Sequence, residues 1–110
     1  MNPPNLDELF EKAREAQTKL QALQRDLALR RVEGSAGGGM VTAVATCDLR
    51  LAEVRIEPQL FEGGDREMLQ DLVIAAVNAA LSEAQRTASE ELARAAGPGL
   101  AIPGMPGAGT

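Results

Sequence analysis

Ile56-Glu57-Pro58-Gln59-Leu60-Phe61-Glu62-Gly63-Gly64-Asp65-Arg66-Glu67-Met68-Leu69 is the stretch where the chain changes from one kind of structure to another. Pro58 lacks a backbone donor and biases Glu57 toward extended conformations, so Val54 and Ile56 read as the end of a strand and Pro58 as its terminator. Gly63 and Gly64 loosen the chain. Asp65 can then accept hydrogen bonds from the first turn of a helix, with Glu67 near its positive end. Between Met68 and Leu81 that helix is apolar on most of its circumference, through Leu69, Leu72, Val73, Ile74, Ala75, Ala76 and Val77. A helix of that kind has to be buried. Asn78 is the polar residue that stands deep in the apolar part of this helix, and its amide is expected to satisfy a backbone group of the sheet or of a dimer mate and so fix the helix register.

Working back from Pro58, the pattern predicts a strand over about 50–57 with Ala52, Val54 and Ile56 facing inward. Cys47-Asp48-Leu49 reads as a turn. A strand rich in β-branched residues precedes it over about 40–47, with Val41, Ala43, Ala45 and Cys47 on one face and Met40, Thr42, Val44 and Thr46 on the other. Gly34-Ser35-Ala36-Gly37-Gly38-Gly39 reads as a flexible turn, and a short strand over about 29–34 completes the hairpin. Phosphate-binding glycine loops open onto a helix, whereas a strand follows here, so that reading is set aside. Working forward, the helix predicted from Asp65 runs over about 65–95, and Gly97 to Thr110 is a Gly/Pro-rich tail unable to form a packed element.

At the other end, Leu6, Leu9, Ala13, Ala16, Leu20, Leu23 and Leu27 alternate spacings of 3 and 4, a heptad seam on a helix predicted over about 5–28. Asp7, Glu8 and Glu11 suit its first turns, and Pro3 and Pro4 keep it from starting earlier. The basic side chains stand off the seam: Lys12 and Lys19 fall at g positions, Arg14 at b and Arg25 at f. Packing and solvated surface are the simplest readings of these two features.

The composition narrows the function. At 110 residues, 45% hydrophobic and 25% charged, the sequence suits a single domain, 1–96, with one modest core. There is no apolar run of about eighteen residues and no basic-apolar leader, so a cytoplasmic protein without membrane partners is expected. Cys47 is the one cysteine and histidine is absent. Without histidine no nucleophile–base pair or metal set can be assembled, so neither an enzyme, a cofactor, a metal nor a small-molecule substrate is expected. Asp65, Glu67 and Asp71 are better explained by helix capping and a solvated face. Two Phe and no Trp or Tyr argue against stacking on unpaired nucleobases.

The net charge of −5 counts against a polyanionic partner, yet it is unevenly spread. Lys12, Arg14, Lys19, Arg25, Arg30 and Arg31 against Glu15 and Asp26 leave the 12–31 segment at +4, while five basic and fourteen acidic residues elsewhere give −9.

The order helix, three antiparallel strands, helix predicts an α+β fold. A small sheet offers one face to helices of its own chain, whereas the second helix is apolar nearly all round and the first carries its own seam. A symmetric homodimer buries that surplus most simply; the alternative, both helices on the sheet of one chain, leaves Met68, Ile74 or Ala75 unaccounted for. Val54, Ile56, Leu69, Leu72, Val73, Ala76 and Asn78 are the expected core and dimer residues.

Over nearly its full length the chain resembles the YbaB/EbfC family of small bacterial nucleoid-associated proteins. The likeness rests on Ala16-Gln17 and Leu23-Gln24 in the first helix, on Val32-Glu33-Gly34 with the glycine turn and Gly39-Met40-Val41, and on the Gly/Pro/Met tail. It rests most specifically on Ile56-Glu57-Pro58-x-Leu60, Asp65-x-Glu67-Met68-Leu69-Gln70-Asp71-Leu72-Val73 and Ala75-Ala76-x-Asn78-x-Ala80. It departs from the family pattern at Glu57, at Gln70 and at the Cys47-Asp48 turn. The resemblance implies a homodimer with a shared core of sheets and C-terminal helices, projecting N-terminal helices, residence in the nucleoid, and binding of double-stranded DNA with little sequence preference. Carried over to this chain, the DNA contacts fall on Lys12, Arg14, Lys19, Arg25, Arg30 and Arg31. The competing expectation is a protein-interaction module of a DNA repair or replication assembly, using the heptad seam to hold a partner's helix.

Overall fold

The computed structural model of the chain describes residues 5–96. Its elements are α1 (Leu6–Leu29), β1 (Arg31–Ala36), β2 (Val41–Thr46), β3 (Arg50–Ile56), α2 (Pro58–Glu62) and α3 (Arg66–Ala96). The fold is α+β: one antiparallel three-stranded sheet in the order β1-β2-β3, flanked in sequence by long helices. Pro3, Pro4 and the expected Gly/Pro tail, 97–110, lie outside the described residues.

α1 begins where Asn5 accepts the backbone N–H of Asp7 on its side-chain oxygen at 3.2 Å, with Asp7 and Glu8 in the first turn. Its 24 residues make a rod about 36 Å long. At its end Arg30 turns to an extended conformation. The backbone N–H of Cys47 donates to the carbonyls of Leu27 at 3.0 Å and Arg30 at 2.9 Å, and so ties the helix end to the end of β2.

The first strand differs from the expected 29–34. Leu29 stays helical, and β1 runs to Ala36, so Gly34, Ser35 and Ala36 are strand and the turn is confined to Gly37–Met40. The cause is tertiary. A Cβ on Gly34 would stand 2.2 Å from the backbone N of Ala80 and 2.8 Å from the carbonyl O of Ala76, so α3 lies directly on the β1 backbone at a place only glycine leaves open. Gly37, Gly38 and Gly39 then carry the turn in left-handed conformations.

Val41, Ala43 and Ala45 of β2 are fully buried beneath Ala76, Ala80 and Ala84, a small-residue stripe repeating every fourth position of α3. α3 lies over β1 and β2 and barely touches β3. In β3 the pairing slips: Val44 faces Glu53, but Ala45 faces Leu51, leaving Ala52 as the extra residue of a bulge. Ala52 is therefore not an inward residue of a regular ladder. Leu51 takes the place opposite Ala45.

Pro58 does end the strand, but the residues after it coil at once into α2 instead of a loose link. Proline occupies the first turn, where its missing N–H costs nothing, and Leu60 is buried in the core. Asp65 then caps α3, its side-chain oxygen accepting the Met68 N–H at 2.9 Å.

Candidate nucleic-acid interface

Leu27, 6% exposed, is the one buried side chain of α1, with Leu23 and Ala28 half-buried; from Asn5 to Ala22 the helix is exposed on every side. Lys12, Arg14, Lys19 and Arg25 project from this uncovered rod. Among the described residues none of the four has a carboxylate within ion-pair distance. The same exposure applies to Leu6, Leu9 and Leu20 of the heptad seam, which finds no partner among the described residues.

Arg30 and Arg31 sit at the root of the arm and differ from one another. Arg30 is engaged: its guanidinium lies 3.0 Å from the Glu91 carboxylate of α3, and Arg94 approaches the same oxygen at 3.0 Å. Arg31 is exposed at the start of β1. The register pairs Arg31 with Thr46 and Thr46 with Arg50, so the two arginines flank Thr46 on the sheet face away from α3, about 10 Å apart. Sequence reading missed Arg50 because only the three-residue hairpin loop and the slipped register put it in that row. Asp48 approaches it loosely, at 3.8 Å.

The next row on this outer face is Glu33–Val44–Glu53. Arg55 reaches Glu33 at 2.6 Å and Glu53 at 3.7 Å, and beneath these charged side chains Val44 is buried although it points away from the core. This face is thereby finished with its own polar surface. The inner side is unfinished. Ile74 is 58% exposed and Met68 44% on α3, and Leu51 is 46% exposed on β3.

Of the expected core and dimer residues, Ala76 is fully buried and Val54, Ile56, Leu69, Leu72 and Val73 are half-buried against the core. Asn78 is exposed instead, on the side of α3 away from the sheet. Ala76 and Ala80 already touch the β1 backbone at Gly34, so the helix turns Asn78 away, and it satisfies no backbone group of its own sheet.

Cys47 is buried, and loss of hydration pushes its thiol pKa up, with Arg30 opposing and Asp48 adding to the shift. Two surface hollows, of about 250 Å³ at Arg55 and Met40 and about 230 Å³ at Phe61 and Leu69, are smaller than the usual small-molecule pocket of about 300 Å³ or more. No described helix is long and apolar enough to cross a membrane.

The comparisons with known proteins bear on the family and the fold. The profile of the YbaB/EbfC DNA-binding family matches residues 1–100. The chain belongs to the YbaB/EbfC DNA-binding family. A nucleoid-associated protein of Syntrophobacter fumaroxidans is 44% identical over 93 residues, covering 81% of this chain and 84% of that protein. Another, from Chlorobium phaeovibrioides, is 41% identical over 97 residues, covering 88% and 87%. The crystal structure of the uncharacterized protein HP0035 from Helicobacter pylori shares the fold, with a TM-score of 0.61 at 19% identity over 73% of this chain and 93% of that one. YbaB/EbfC is a DNA-binding family and not an enzyme family.

Proposed function

We propose that this chain is a nucleoid-associated protein that binds duplex DNA as a homodimer, through phosphate contacts and with little sequence preference. The observation that carries this reading is the arm. In a member of a DNA-binding family, Lys12, Arg14, Lys19 and Arg25 stand on a helix that the other described residues leave bare, and among the described residues those cations have no carboxylate partner. Arg31 and Arg50 continue the basic surface from the arm onto the outer sheet face. A few phosphates neutralised per arm correspond to non-specific affinity of about 10⁻⁴ to 10⁻⁶ M at physiological salt. The acidic remainder of the chain repels the duplex and orients the arms toward it.

The apolar surface exposed on Met68 and Ile74 of α3 and on Leu51 of β3 supports dimerisation. Asn78 is likewise exposed on α3 and fixes the register between the two copies. The exposed seam of Leu6, Leu9 and Leu20 favours a second reading, in which the arm also holds a helix of a DNA repair or replication protein.

Titration of the protein into a labelled duplex of unrelated sequence at several salt concentrations, with its mass in solution measured alongside, tests both readings. Phosphate binding by a dimer gives affinity that falls steeply with salt, with a slope of about −0.9 per phosphate contacted. Absence of binding at low salt overturns the DNA reading and leaves the seam as the functional surface.

A further inference from the structure

α1 is fixed to the body at few points: Leu27 in the core, the two Cys47 hydrogen bonds, and the ion pair of Arg30 with Glu91. The first two hold the helix end in place. They lie together at one end of a long rod, so they restrain its angle weakly. The ion pair is different, because it reaches from the residue just beyond α1 to the C-terminal part of α3. Glu91 is also shielded, its side chain 17% exposed, with the Arg30 and Arg94 guanidiniums each 3.0 Å from the same carboxylate oxygen. A small rotation at the root displaces the distant Lys12 and Arg14 by many times as much.

From this geometry we infer that Glu91 is a positioning residue for DNA binding: by clamping Arg30 it sets the angle of the α1 arm, and so the spacing at which the arm's cations meet the phosphates. Arg30 then acts through Glu91 and is not itself a phosphate contact. The inference rests on the DNA-binding reading above.

Electrostatics alone predicts the opposite sign. Glu91→Gln removes a negative charge from a chain of net charge −5, which by itself tightens binding to a polyanion. Loosening the arm weakens it. The control is Glu90→Gln, which removes the same charge one residue away from an exposed carboxylate paired with Arg86.

The experiment is a salt series of duplex titrations with the wild-type chain, Glu91→Gln, Glu90→Gln, Arg30→Gln and the Arg30→Gln/Glu91→Gln double variant. The expected result is binding about fivefold weaker for Glu91→Gln, with an unchanged salt slope, and unchanged or tighter binding for Glu90→Gln. The double variant is expected to bind no worse than either single one, as two residues acting through one contact should. In a Cys47→Ala background, spin labels at Gln17 and Ser89 read the arm directly without DNA, and Glu91→Gln broadens their distance distribution. Glu91→Gln binding as tightly as wild type, or an unbroadened distance distribution, overturns the clamp. So does a salt slope reduced by about 0.9 per arm in Arg30→Gln with additive loss in the double variant, since Arg30 would then touch a phosphate. A wild-type chain without salt-sensitive binding overturns the DNA reading instead, which separates the two failures.

Discussion

Gly34 of β1 and Ala80 of α3 meet backbone to backbone: a Cβ on Gly34 would lie 2.2 Å from the Ala80 nitrogen and 2.7 Å from the carbonyl carbon of Ala79. Neither neighbour is the end of a flexible side chain, so any larger residue forces strand and helix apart. Gly34→Ala is expected to destabilise the fold by about 3 kcal/mol, measured by chemical denaturation. Ala at Gly38, where nothing stands within 4 Å, costs only its left-handed backbone, about 1 kcal/mol.

Charge reversal separates binding from folding. Lys19, Arg25 and Arg31 are exposed and off the seam, so replacing all three with Glu is expected to abolish duplex binding at physiological salt while leaving the thermal transition and solution mass unchanged. Unchanged DNA affinity in that variant removes the arm model.

Ile74 tests where a second copy sits. It is an apolar residue on a face of α3 that the other described residues leave open, so Ile74→Glu should halve the solution mass without unfolding the protomer. Leu72, by contrast, lies half-buried under the first hairpin turn, its methyl carbons within 3.3 Å of where a Cβ on Gly37 would stand. Leu72→Asp is expected to unfold the chain itself.

Leu49 closes the β2–β3 hairpin at φ 66°, the third residue of a three-residue loop and the position that usually holds Gly or Asn. Its side chain is half exposed, so little burial is lost on replacement. Leu49→Asn should raise stability by about 1 kcal/mol in a denaturant titration.

Burial at Cys47 shields its thiol and disfavours the thiolate. It should resist thiol reagents at neutral pH in the folded chain and react at once on unfolding. Its folded pKa lies above the ordinary 9.0, so its contribution to stability is fully present below that pH and is lost as pH rises through the folded value. Melting curves in alkaline buffers, with Cys47→Ala as reference, read the difference.

The order of elements was legible in residues whose effects are local. Pro58 ends a strand wherever it stands in one, alternation marks Val41 to Cys47, and Asp65 caps the helix it precedes. Gly34-Ser35-Ala36 misled because those residues have turn chemistry, while what decides their state is the nearness of α3, a tertiary fact. The bulge at Ala52 and the row holding Arg50 depend on a one-residue slip that no alternating pattern records. Likewise Arg30 looks like its basic neighbours in sequence, and only the folded chain brings Glu91 to it.

The anchorage of α1 at one end only also sets how the molecule comes apart. Toward Asn5 from Leu27 the arm is held mainly by its own i to i−4 hydrogen bonds, without the tertiary packing that supplies most helical stability in proteins. Amide protection should therefore decay along the arm from the Leu27 turn toward Asn5, in steps far smaller than the opening of the sheet. The arm is thus expected to open as a separate, weaker cooperative unit. A duplex laid along it would slow its hydrogen exchange while leaving that of Val41, Ala43 and Ala45 almost untouched.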